Sequence, residues 1–239
     1  MSLSGKRIVI LGGTSGIGFA TAQLAGREGA SVVIASSNAA RVEAAVARLP
    51  QGSQGHTLDL SRESSVSAFF EQLGAFDHLA FTAGEQLQLG NVADTELTVA
   101  QQYFGLRYWG AFLMAKYGAR HVRAGGSLVF TSGSASIRPQ AGWALGASIC
   151  AAMEGLTRAL AIELAPIRVN VVAPGIVKTP LWASIPEADR AALYQQSAAR
   201  LPVGHVAEPD EIAHAYLYAM RQTYATGEVL RVDGGNTLV

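Results

Sequence analysis

Two stretches of this sequence hold residues suited to gripping phosphate. The first is Gly12-Gly13-Thr14-Ser15-Gly16-Ile17-Gly18, directly after an apolar run and directly before an Ala-rich helical one. Glycines there permit a tight turn and let backbone N–H groups reach a pyrophosphate, while the start of a helix adds partial positive charge. The spacing departs from the generic G-x-G-x-x-G pattern, and a glycine-rich turn also serves packing. Its place between a strand and a helix favours nucleotide binding. The second stretch is Ser36-Ser37-Asn38, with Arg41 one turn further on. A site specific for NAD carries an acid at the end of the second strand, which binds the ribose 2′-OH and repels a 2′-phosphate. Three neutral donors and a cation suit that phosphate instead, so NADP(H) is favoured over NAD(H). The competing reading makes the same residues a helix cap and a solvated arginine.

Other residues with chemistry of their own are scattered. Ser132 and Ser134 close a strand, where serine orients a substrate or simply shapes a turn. The single cysteine, Cys150, excludes an internal disulfide, and no Cys/His cluster has zinc spacing, so no metal is expected. On its apolar helical run Cys150 reads as a small core residue rather than a nucleophile. Tyr103, Tyr108 and Trp143 are either pocket-lining or core aromatics, and His205 receives no role.

The elements that must position these residues alternate along the chain. Apolar strand-like runs fall at Lys6–Leu11, Ser31–Ala35, His56–Leu58, Asp77–Thr82, Ser127–Ser132, Ile167–Ala173 and Glu228–Val232. Helical patterns fall between them, at about Ser15–Glu28, Ala39–Leu49, Glu63–Leu73, Thr95–Arg123 and Ala144–Leu164. Continuous Val/Ile/Leu strands separated by helices predict an α/β chain: a Rossmann-like, doubly wound parallel sheet flanked by helices. In that plan ligands bind outside the carboxyl ends of the strands, near the switch in strand order. No linker, repeat or low-complexity tract divides residues 1–239, so one domain is expected.

Composition narrows the function classes. Hydrophobic residues make up 49% and charged residues 15% of 239, enough apolar surface for one large core and the reverse of a disordered chain. Eighteen Lys+Arg balance eighteen Asp+Glu, which disfavours nucleic acid as a partner. No apolar run approaches the ~18 residues of a membrane span, and the polar first residues lack the core of a signal peptide. A soluble, cytoplasmic protein is expected. The low charge hints that some apolar surface is buried between subunits.

The motifs taken together resemble the short-chain dehydrogenase/reductase family. Gly12, Gly16 and Gly18 look like its T-G-x-x-x-G-x-G loop, with Leu11 in place of the threonine. Thr82-Ala83-Gly84 resembles the end of its N-N-A-G turn. Glu154–Leu164 and Ala165–Gly175 resemble its long helix, sixth strand and Pro-Gly turn, and Val232-Asp233-Gly234-Gly235 its last strand. The resemblance covers essentially the whole chain. It implies an oxidoreductase with a small carbonyl or alcohol substrate. It implies that Asp59 and Leu60 meet the adenine, that Ala83, Gly84, Pro174, Gly175 and Ile176 line the cofactor cleft, and that Thr179 meets the nicotinamide amide. It also implies a homotetramer or homodimer paired through the long helices.

The same resemblance exposes a departure. The family uses a Tyr-x-x-x-Lys pair, an upstream serine and an asparagine, because a phenol of pKa about 10 needs a neighbouring cation to work as an acid near pH 7. Aligned on Arg138-Pro139, Gly142 and Glu154-Gly155-Leu156, those positions here are Gly146, Cys150, Gly133 and Arg107. Arg107 is then either an electrophilic aid to a substrate oxygen or a filler of vacated space. Arg107, Ser132 and Ser134 stand as the catalytic candidates. A catalytically silent dinucleotide-binding protein, acting as a cofactor sensor or subunit, is the alternative.

Overall fold

The computed structural model describes residues 2–239. In chain order the elements are β1 (Arg7–Leu11), α1 (Gly16–Arg27), β2 (Ser31–Ser36), α2 (Ala39–Val46), β3 (Gln54–Thr57), α3 (Glu63–Leu73) and β4 (Phe76–Phe81). There follow α4 (Leu97–Tyr103), α5 (Ala111–Gly118), β5 (Val122–Thr131), α6 (Ala144–Glu163), β6 (Arg168–Pro174), α7 (Glu187–Arg200), α8 (Pro209–Arg221) and β7 (Val229–Val232). The strands form one parallel sheet in the order β3-β2-β1-β4-β5-β6-β7. The order reverses between β1 and β4, which is where this plan opens a crevice.

Side-chain alternation along β1 shows why both faces need helices. Ile8 and Ile10 point to one face, among Phe19 of α1 and Tyr216 and Leu217 of α8. Val9 and Leu11 point to the other, among Phe70 of α3, Met114 of α5 and Met153 of α6. All four β1 residues are fully buried. A strand covered on both sides has no polar face to show, and its sequence is accordingly an unbroken apolar run.

Two expectations about the elements need correction. β3 spans Gln54–Thr57 rather than His56–Leu58, because pairing of Val33 with Gln54 sets its start; it is an edge strand and shows no apolar run. The helical region expected over Thr95–Arg123 is broken into α4, a π-helical turn at Gly105–Gly110, α5 and a 3-10 turn at Ala119–His121. Arg123 already belongs to β5, whose Val122 pairs with Phe76. The sequence places His205 before a last helix, which is α8, and gives no sign of α7. By length and mean hydropathy α6 matches a membrane span, as core helices of α/β folds also do, but Glu154, Arg158 and Glu163 interrupt its apolar run. It packs on the sheet through Met153 and Leu160 and against Tyr103 of α4 through Ile149.

Candidate active site

A cavity of about 750 Å³ opens over the carboxyl ends of β1, β2, β4, β5 and β6. Every site residue singled out from the sequence lines it, with one exception. Asn38 is the N-cap of α2, and its Oδ1 accepts the Arg41 backbone N–H at 2.9 Å. Its side-chain oxygen thus serves the helix while its Nδ2 donors make no bond among the described residues, and Asn38 lies outside the cavity lining that Ser36, Ser37 and Arg41 belong to.

The cofactor end is built from backbone. Gly12 has φ +89°, and a methyl group on it would stand 2.5 Å from the Ala83 nitrogen. A methyl on Gly18 would stand 2.4 Å from the Gly12 carbonyl oxygen and 2.3 Å from Thr82 Oγ1. Only hydrogen fits at either position, so the loop is held flat against the end of β4. Ser15, the N-cap of α1, makes no side-chain capping bond, and the first turn carries no acid. The helix therefore offers free N–H donors and an uncompensated positive end to an anion. Thr179 packs against Gly16, 3.2 Å from a methyl built there. Asp59 Oδ1 accepts from the Ser61 hydroxyl at 2.6 Å and the Ser61 N–H at 3.0 Å. Those bonds hold its carboxyl below the usual range. These features form a cradle that fits a dinucleotide pyrophosphate.

The substrate end is built from side chains. Gly146 and Cys150 sit one turn apart on α6, both facing the cavity. A methyl on Gly146 would lie 3.9 Å from Tyr103 Oη, so the phenol of α4 reaches toward the place a side chain at 146 would begin. Burial pushes the Tyr103 phenol up, with the Arg107 cation pulling against it. Burial likewise pushes the Cys150 thiol up, again opposed by Arg107, so the thiol is protonated and a poor nucleophile. Arg107 projects from the π-helical turn and lies over Gly84, 2.6 Å (Nη2) to 3.2 Å (Cζ) from a methyl built there. Its Nε is buried without a partner. Glu85 organises that turn: its Oε1 accepts the N–H groups of Leu106 and of Arg107, the latter at 2.9 Å. A π-turn re-aims side chains relative to an α-helix, and such turns gather at functional sites.

The two serines are more committed than the sequence suggests. Ser132 Oγ donates to Glu154 Oε1 and to the Cys150 carbonyl, both at 3.0 Å. Ser136 Oγ donates to the same Glu154 oxygen at 2.6 Å. Ser134 Oγ accepts from Asn236 Nδ2 at 3.1 Å, tying the loop to the C-terminal segment. Among the further cavity residues, Glu85, Trp182 and Asn236 had no signal in the sequence, and Arg138 entered only as an alignment anchor. Each depends on loops whose path the strand–helix pattern does not determine.

Comparison with known proteins adds the following. Residues 12–237 match a family model described as enoyl-(acyl carrier protein) reductase. The protein named short-chain dehydrogenase/reductase fsr5 of Gibberella fujikuroi is 31% identical, over 99% of this chain and 96% of that one. A small-chain dehydrogenase solved in complex with NADPH is 43% identical, with TM-score 0.87 and coverage of 99% of this chain and 100% of that one. The MalC reductase/Diels-Alderase of Malbranchea aurantiaca is 33% identical, with TM-score 0.92 over 99% of this chain and 98% of that one.

Proposed function

The chain belongs to the short-chain dehydrogenase/reductase family, and we propose that it is an NADPH-dependent oxidoreductase working without a tyrosine–lysine pair on a small carbonyl or alcohol. The observation that carries this is one cavity joining a dinucleotide cradle to a side-chain-lined substrate end that holds Gly146 and Cys150. The end of β2 supports NADPH over NADH: Ser36, Ser37 and Arg41 face the cavity there, and no acid follows the strand. A relative solved with NADPH supports the same choice.

When bound, the nicotinamide would supply a hydride to a carbonyl carbon, with the resulting alkoxide taking its proton from solvent water, or would accept one from an alcohol that gives its proton to water. This chain's part is to bind and orient. The N-terminus of α1 and Arg41 hold phosphates, and Thr179 flanks the nicotinamide side. Arg107 stabilises negative charge on a substrate oxygen; a guanidinium keeps its proton at every working pH and is no general acid. Ser132 shapes the wall through Glu154 rather than donating to substrate.

Calorimetry with NADPH and NADH, followed by a screen of carbonyl substrates at the nicotinamide absorbance, tests this reading. NADPH should bind about tenfold tighter or more, with weak turnover of simple ketones. Equal or tighter NADH binding overturns the cofactor assignment. Binding with no turnover of any substrate replaces the enzyme by a silent cofactor-binding protein.

Assembly follows from the outer face of α4 and α6. Phe104, Tyr108, Leu145 and Leu156 line an apolar groove there, beside the exposed Trp109 and Phe112. We infer a homodimer or homotetramer that covers this groove. A monomer by light scattering at micromolar concentration overturns it.

A further inference from the structure

We infer that the substrate end of the cleft is an anion site, in which the Arg107 guanidinium and the Tyr103 hydroxyl together hold a carboxylate of the substrate. The inference rests on the dinucleotide-dependent reading above and adds the chemical class of the substrate.

Arg107 is a cation without a counter-ion. No carboxylate lies within 4.0 Å of its guanidinium nitrogens among the described residues, and its Nε is buried with no hydrogen-bond partner. An unpaired buried donor is costly, and a guanidinium more so, unless a ligand completes it. Glu85 lies near but has one oxygen turned to the main chain of the π-helical turn, and its Oε2 is also without a partner. The two orphaned atoms do not satisfy each other.

Tyr103 supplies the second donor. It is 5% exposed, packs with Ile149 and Cys150, and directs its hydroxyl to the space beside Gly146. Burial keeps the phenol protonated, so it presents an O–H and not a repelling phenolate. Arg138 lines the same cavity and likewise lacks an ion pair among the described residues, so two guanidinium groups face the one carboxylate, Glu85, at this end. Trp143 and Trp182, with ring centres 6.1 Å apart, form an aromatic wall on that side. A planar, apolar body bearing one carboxylate fits these surroundings, and the fork of a guanidinium matches a carboxylate in geometry.

The test measures binding rather than turnover. Benzoate, phenylacetate and cinnamate, each beside its neutral amide, are titrated calorimetrically into the protein saturated with NADPH. At least one acid should bind about tenfold tighter than its amide. Arg107→Leu should abolish that preference, Arg107→Lys should keep part of it, and Tyr103→Phe should weaken the acid severalfold. Glu85→Gln should tighten the acid by removing a competing charge. NADPH affinity, followed separately by fluorescence, should stay within about twofold in all variants. No acid binding, or no preference over the amide, overturns the inference. So does an Arg107→Leu protein that loses NADPH but keeps the acid preference, since Arg107 then serves the cofactor. Failure of the wild-type protein to bind NADPH instead defeats the underlying reading.

Discussion

The two ends of the cleft are made from different material. At the cofactor end, the groups that face a ligand are mainly the backbone of the Gly12–Gly18 loop and the start of α1. They are held by contacts so close that a single added carbon collides with main chain. At the substrate end they are side chains on separate elements: Tyr103 from α4, Arg107 from a π-helical turn, Cys150 from α6. Backbone geometry changes only if the fold changes. Side chains can be exchanged one by one on an unchanged fold, and that is the end that holds Gly146 and Cys150.

The largest effect should come from breaking the backbone end. Gly18→Ala places a methyl 2.4 Å from the Gly12 carbonyl oxygen, and neither the helix nor the loop can move far. NADPH binding should fall by more than 100-fold, and the midpoint of thermal unfolding should drop as well. Alanine tolerated at 18 with unchanged NADPH affinity would show that the loop is not the rigid cradle described.

The next largest effect separates both ends from the rest of the molecule. His78 lies in β4, 5% exposed, with Nδ1 2.9 Å from Ser127 Oγ. Burial, aided by the Arg168 cation and opposed by Asp77, pulls its imidazole down to about 4. The unfolded chain takes up that proton near 6.5, so stability is full above that pH and is lost as the pH falls toward 4. The loss approaches about 3 kcal/mol. Carboxylates titrate mostly below this window. Urea unfolding at pH 7 and pH 4.5 should differ for the wild type and differ much less for His78→Gln. An equal pH dependence in both proteins would place the acid sensitivity elsewhere, the cleft included.

What was legible in the sequence follows the same division. The strand–helix alternation and the glycine loop announced the fold and the cofactor end, because apolar runs and Cβ-free positions are written directly in residue types. Asn38 shows the limit even there: the same side chain suits a phosphate or a helix cap, and its oxygen caps α2 while its amide donors make no bond among the described residues. Tyr103 was legible only as a pocket or core aromatic, and Glu85 not at all, because their relation to the site depends on the break after α4. The uninterrupted helical pattern over Thr95–Arg123 conceals that break. Ser132 was legible as a candidate but not as a committed donor, since Glu154 lies 22 residues away and meets it only through the packing of α6.

A smaller effect tests that commitment. Ser132→Ala removes a buried hydroxyl that donates to Glu154 and to the Cys150 carbonyl, and it leaves Ser136 on the carboxylate. The expected cost is about 1–2 kcal/mol of stability, read by chemical denaturation, with NADPH affinity unchanged. A variant of wild-type stability that has lost substrate binding would return Ser132 to the substrate end as a direct donor.

The smallest effect sharpens the one place where the cofactor end also depends on a side chain. Arg41 is exposed, faces the cavity beside Ser36 and Ser37, and has no carboxylate within 4.0 Å among the described residues. Its own backbone N–H already caps onto Asn38, so its removal leaves the start of α2 intact. An exposed charge pair contributes at most about 1 kcal/mol, so Arg41→Ala should weaken NADPH about fivefold and leave NADH unmoved. Calorimetry with both cofactors reads this directly. Equal weakening of both would mean the arginine acts on the shared pyrophosphate. No change in either would mean that Ser36 and Ser37 hold the 2′-phosphate alone or that the site does not distinguish the two cofactors, and the NADPH-to-NADH ratio of the wild type separates those cases.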